Sequence, residues 1–249
     1  MMGVVYIMWL RQLKRYWRSK SRMIGALGMP ILFLIALGFG FGAIYQKAGG
    51  GNYLEFLAPG IIAMSILFTS MFNGTEVIWD RQFGFLKETL VAPVSRIKIM
   101  VGRTLGGATV AFLQGILVFL ISMIFGFRVT SFSCIPLTFM FMFLIAVLFT
   151  ALGTAIASKM EDMHAFPLIM NFLIMPLFFL SGALFPLDNL PKFMAVIVKI
   201  NPLSYGVDGI RGALTNVSQL GLFSDFIVLF ALTLIVGLIG SYLFSKIEV

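Results

Sequence analysis

The chain has 249 residues, 60% of them hydrophobic and 11% charged, with a mean hydropathy of +1.03. A soluble domain carries about a quarter charged residues, so this composition excludes a water-soluble globular core and makes lipid the solvent of most side chains. The net charge of +8 is divided among juxtamembrane segments without an aromatic-interleaved stripe, which argues against nucleic acid as a partner.

Residues 4–22 place Tyr6, Trp9, Leu10, Leu13, Tyr16 and Trp17 at helical spacing, with Arg11, Lys14, Arg15 and Arg18 between them. This pattern predicts an amphipathic interfacial helix (1–22) that is retained, because a cleaved leader has a short basic start and a small-residue cleavage site. Apolar runs follow at 23–45, 57–78, 104–127, 136–158, 165–185 and 226–245, each near the roughly 20 residues that cross hydrocarbon. The expected fold is an all-α polytopic membrane protein, one domain (1–249) with six transmembrane helices.

Thirteen Lys and Arg fall before the first run, around the second connection, at Lys159 and at Lys246. The other side holds five: Lys47, Arg128, Lys192, Lys199 and Arg211. The positive-inside bias predicts that both termini are cytoplasmic, as an even number of spans requires. Small residues four apart, such as Gly102 and Gly106 or Gly153 and Ala157, predict close helix packing.

No Asp, Glu, Lys, Arg or His lies well inside any run, and Glu76 and Asp80 sit at the cytoplasmic end of the second. Ion-coupled carriers and voltage sensors keep ionisable groups at membrane depth, so the driving force is expected from outside the membrane. The chain has no phosphate-cradling Gly-rich loop followed by Lys-Ser/Thr, hence no ATPase site of its own. One cysteine, Cys134, excludes an internal disulfide, and the only histidine, His164, excludes a two-imidazole metal site. His164 reads as a solvated loop residue, and no potassium-channel filter appears.

Two connections are unusual. Residues 79–96 are cytoplasmic and amphipathic, helical from about 81 to 90 and closed by Pro93. From physics alone this segment either seats in a groove of another protein or lies on the headgroups. Residues 186–225 face outward. There 190–200 read as a re-entrant or interfacial helix, Asn201-Pro202-Leu203-Ser204-Tyr205 breaks it, and a second short helix carries Asp208 and Arg211 one turn apart.

Three blocks, DRQFGFLKETLVAPVSR (80–96), FLSGALFPL (179–187) and NPLSYGVDGIR (201–211), resemble the ABC-2 type export permeases, particularly the daunorubicin-resistance-like drug or lipid exporters, over nearly the whole length. The resemblance implies that the first block is a cytoplasmic coupling helix that docks on a separate nucleotide-binding ATPase, with Arg81, Phe83, Phe85, Leu86, Lys87, Glu88 and Thr89 as contacts. It implies an external gate at Phe185, Pro186, Asn201, Pro202, Tyr205, Asp208 and Arg211. It further implies a homodimer in a prokaryotic inner or plasma membrane that exports an amphiphilic drug, lipid or glycan-type substrate. No cofactor is expected on this chain, ATP and magnesium belonging to the partner. The competing reading is an intramembrane enzyme or assembly scaffold without transport.

Overall fold

Apolar runs of this length can satisfy their backbone in lipid only by closing it into helices. The computed structural model describes residues 3–47, 52–91, 94–130, 132–187 and 191–246, and all its α-helices, with one short 3-10 turn, form in that way. The interfacial helix α1 spans Gly3–Arg18, and α2 (Lys20–Gly40) follows after a break at Ser19. Then come α3 (Gly42–Lys47), α4 (Tyr53–Phe72), α5 (Thr75–Gln82), α6 (Phe85–Val91), α7 (Arg96–Ile124) and α8 (Ile135–Lys159). The last four are α9 (Ala165–Phe179), α10 (Lys192–Ile200), α11 (Pro202–Thr215) and α12 (Leu222–Ser245).

Among the described residues, five helical stretches are long and apolar enough to cross a membrane: α2, α4 running on through α5, α7, α8 and α12. The protein is therefore a multi-pass membrane protein. The run expected to cross at 165–185 is helical only over Ala165–Phe179. At 1.5 Å per residue that is about 22 Å, short of the roughly 30 Å hydrocarbon core. Pro176 interrupts the ladder near its end, and a turn containing Gly182 (φ 74) follows. The α4–α5 stretch covers 30 residues, about 45 Å, and must project beyond the hydrocarbon.

The core is organised around α4, whose Leu57, Ala58, Ile61, Ile62, Ile66 and Leu67 have no exposed surface. It packs against α2, α7, α8, α9 and α11, while α12 lies along α8 and α1 crosses α7. Two glycines let α8 reach the α4–α5 bend. A Cβ on Gly153 would stand 2.5 Å from the Met71 carbonyl oxygen, and one on Gly74 would overlap the Gly153 carbonyl. The α1 crossing uses Gly102 and Gly106, where a Cβ would come within 2.8 Å of Met8 Cβ and 2.7 Å of Gln12 Cβ. Gly102, Gly106 and Gly153 thus serve helix packing.

Arg96 donates to the Ser245 carbonyl at 2.7 Å, which sets the end of α12 beside the start of α7. Both described chain ends accordingly lie at the end of the bundle that holds α5 and α6. The opposite end gathers the start of α4, the 181–187 turn, α10 and α11. Tyr53 donates there to the Leu184 carbonyl at 3.1 Å, and the Thr130 amide to the Leu214 carbonyl at 3.2 Å.

Candidate functional site

Glu76 and Asp80 stand four residues apart on α5, hence on one helical face, and Arg11 and Arg15 do the same on α1. The two faces meet. Arg11 binds Asp80 at 2.8 Å, and Arg15 reaches Glu76 at 3.6 Å. Arg22, in the first turn of α2, binds the other Glu76 oxygen at 3.0 Å. Arg103 from α7 hydrogen-bonds the second Asp80 oxygen. Glu76, Asp80 and Arg103 are 3%, 5% and 3% exposed, so water screens these pairs weakly. Two carboxylates therefore tie α1, α2, α5 and α7 together.

Aromatic faces complete the junction. The Arg11 guanidinium lies 4.0 Å from the centroid of the Phe85 ring, and Arg15 and Arg22 lie 5.5 Å and 6.0 Å from that of Trp79. Trp9 donates to Thr109 at 3.0 Å, and the Tyr16 hydroxyl donates to Gln114 at 2.5 Å. Burial pushes the Tyr16 phenol above the usual tyrosine range.

The segment expected as one helix over 81–90 is divided. α5 ends at Gln82, Gly84 takes a left-handed φ of 78°, and α6 starts at Phe85. Glycine adopts that conformation without a Cβ penalty, and the redirection brings Phe85 under Arg11 and buries Leu86 completely. Pro93 lies outside the described residues, and so does the Lys87 side chain.

The remaining coupling candidates sort into anchors and surface. Arg81 turns inward, donating to the carbonyls of Ser158 at 2.9 Å and Met160 at 3.1 Å, with Glu161 3.9 Å away. These are the open carbonyls at the end of α8, where a cation is favoured. Leu86 anchors α6 by burial. Phe83 is 78% exposed and Phe85 39%. Glu88 is exposed, and the half-buried Thr89 donates back to the Phe85 carbonyl. Val91, 85% exposed, extends this face and was not among the expected contacts.

At the far end, Asn201 caps two elements. Its side chain accepts from the Leu203 amide at 3.0 Å, starting α11, and donates to the Leu177 carbonyl of α9 at 2.7 Å. Pro202 occupies the first turn of α11, which suits its missing N–H. Tyr205 donates to the Lys199 carbonyl at 2.7 Å. Asp208 and Arg211 share α11 but act separately. Asp208 accepts from Ser218 Oγ at 2.9 Å and from the Leu220 amide at 2.7 Å, whereas Arg211 donates to the carbonyls of Gly182 at 2.8 Å and Phe56 at 3.3 Å. Phe185 is 61% exposed and Pro186 half-buried, both in the turn after α9. His164 is exposed at the start of α9, its amide donating to Asp162 at 2.7 Å.

The model of the ABC-2 type transporter family matches residues 3–215. The chain belongs to that family. Similar relatives of this ABC-2 permease include a putative transport permease, ycf38, of Cyanophora paradoxa, 30% identical over 246 residues and covering 92% of this chain and 83% of that one. The inner membrane transport permease YadH of Escherichia coli K12 is 29% identical, with 89% and 86% covered. Nodulation protein J of Rhizobium leguminosarum bv. trifolii is 27% identical, with 83% and 76% covered. The permease is thus a membrane transport subunit, and the α1–α5–α7 junction lies inside the matched region.

Proposed function

We propose that the permease is the membrane subunit of an ATP-driven exporter whose nucleotide-binding ATPase is a separate chain docking on α6. The observation that carries this reading is the pairing of an exposed face, Phe83, Glu88 and Val91, with a rigid mount: Leu86, Arg11 and the Asp80 ion pairs. A headgroup-lying helix has no need of such a mount, whereas a helix that transmits force does. ATP and magnesium then belong to the partner.

In this reading the α5–α6 end is cytoplasmic, in agreement with the Lys and Arg bias, and the membrane is a prokaryotic inner membrane. α9 and the turn after it serve as the sixth crossing, and α10 and α11 form the outer gate around Asn201, Tyr205, Asp208 and Arg211. Two copies pair, and an amphiphilic substrate leaves between them. ATP-driven closure of the partner shifts α6, and through it α4, α5 and α7.

The test is ATPase activity of the co-purified partner in lipid nanodiscs, with the unaltered permease and a Phe83→Ala, Glu88→Ala double variant. Both side chains are exposed, so the variant folds, and coupling between permease and ATPase is expected to fail. A permease that binds no ATPase refutes the exporter reading and favours the assembly scaffold.

A further inference from the structure

A cavity of about 440 Å³ lies between α2 and α4, at the end of the spans nearest α1 and α5. Its walls are apolar and adaptable, with Met29, Met64 and Phe68 among them, and its polar end carries Arg22 and Trp79. Met29 is also 53% exposed, so the cavity edge opens on the surface of the chain.

The charges at the polar end decide the class of ligand. Arg15 and Arg22 share the single carboxylate of Glu76, which leaves one positive charge in surplus. The Arg22 side chain is 40% exposed and retains free donors toward an anion. Among the described residues no Asp or Glu lines the cavity, and Glu76 is already shared by Arg15 and Arg22, so a cationic head would meet Arg22 with no free counter-charge. The volume falls in the roughly 300–1,000 Å³ of small-molecule sites, room for one alkyl chain or one compact apolar body.

We propose that this cavity binds the cargo of the exporter, and that the cargo is an amphiphile with an anionic head: its head sits at Arg22 and Trp79, and its apolar part lies against Met29, Met64 and Phe68. The inference rests on the exporter reading above.

The chain has three tryptophans, and replacing Trp9 and Trp17 by Phe leaves Trp79 as the reporter. Its fluorescence in zwitterionic nanodiscs is titrated with 9,10-dibromostearate and with a brominated quaternary ammonium of equal chain length. Saturable quenching by the anion is expected, about fivefold tighter than by the cation, as one partly exposed charge pair supplies. Arg22→Gln should abolish that preference. Gly25 lines the cavity, and a Cβ there meets nothing within 4 Å, so Gly25→Leu fills the space without a backbone clash and should remove saturable binding. If the double-Phe background misfolds, the difference between unaltered protein and Trp79→Phe gives the same readout.

Non-saturable quenching, or quenching that survives Gly25→Leu, overturns the site. Dibromostearate should also stimulate the ATPase of the co-purified complex. Saturable binding without stimulation overturns the cargo assignment, since a resident lipid would bind in that way. Failure of the ATPase to associate strikes the exporter reading and the cargo role that rests on it, but leaves the anionic-amphiphile site standing, because Trp79 quenching is measured on the permease without its partner.

Discussion

Asp80 is the residue whose loss should be felt most in the junction. It is 5% exposed and accepts from Arg11 and from Arg103, itself 3% exposed. Asp80→Ala leaves the Arg103 guanidinium buried without a counter-charge, and breaking a buried pair from one side costs about 3–5 kcal/mol. Arg11 adds little to that cost, because its side chain is 28% exposed and can turn to solvent. Replacing both members of the buried pair, Asp80→Leu with Arg103→Met, removes the stranded charge, and such exchanges are often close to neutral. The expected order of apparent melting midpoints in detergent is unaltered protein, then the double variant close behind, then Asp80→Ala far below. An Asp80→Ala protein that melts with the unaltered one, or a double variant as unstable as the single, would refute the account of the junction as a charge-compensated clamp.

Three further outcomes are expected. Gly106→Leu forces a side chain against Gln12 and the Trp9 backbone, an overpacking worth about 1–3 kcal/mol; it should loosen α1 and speed tryptic cleavage between Arg11 and Arg18, whereas Gly28→Ala, with open space at its Cβ, should leave that rate unchanged. Asp225, in the first turn of α12, is fully buried against the carboxyl group of Asp208, so Asp225→Asn, which removes one of two adjacent carboxylates, should raise the melting midpoint, while Asp208→Asn, which disturbs the bonds from Ser218 and Leu220, should lower it by the equivalent of about 1–3 kcal/mol. His164→Ala should leave the ATPase activity of the complex unchanged, because the ring is exposed at the start of α9; a large loss would revive the enzyme reading.

The long apolar runs made the helical class and most span positions legible, because hydropathy over some 20 residues is a local property. The shortness of α9 was hidden, since Leu180, Ala183 and Leu184 are as apolar in a turn as in a helix, and only the backbone at Gly182 separates the two cases. Residues 81–90 have helix-compatible composition except at Gly84, a weak helix former that signals a break, but not the direction of the chain after it, which the contacts of Phe85 with Arg11 and the burial of Leu86 decide. The four-residue spacings of Arg11 with Arg15 and of Glu76 with Asp80 were visible, but not that these faces pair. The helices are some 60 residues apart in the chain, and Arg11 and Arg15 counted equally well as topology charges. Arg81 was read as a docking contact from its place in the block, yet its donors are committed to the end of α8.

The junction and the cavity share residues, and this bears on how the proposed exporter would couple them. Glu76 belongs to the ion-pair ladder of α5 and at the same time holds Arg22, the cation at the polar end of the cavity. Trp79, on the same helix, lines that end and faces both Arg15 and Arg22. A shift of α6 that carries α5 with it cannot leave this end of the cavity unchanged, because Glu76 moves with α5 whereas Arg22 is fixed to α2. If Arg22 followed Glu76, α2 would be drawn along the cavity; if it did not, the guanidinium would lose its counter-charge and attract an anion more strongly. Either way, force applied at the α6 surface alters the affinity of the cavity through a single carboxylate. Glu76→Gln should therefore retain ATPase binding, since Phe83, Glu88 and Val91 are untouched, but release the dependence of ATPase activity on dibromostearate. Stimulation that persists in Glu76→Gln would show that coupling bypasses this carboxylate and runs through the packing of α4 and α8 at Gly74 and Gly153 instead.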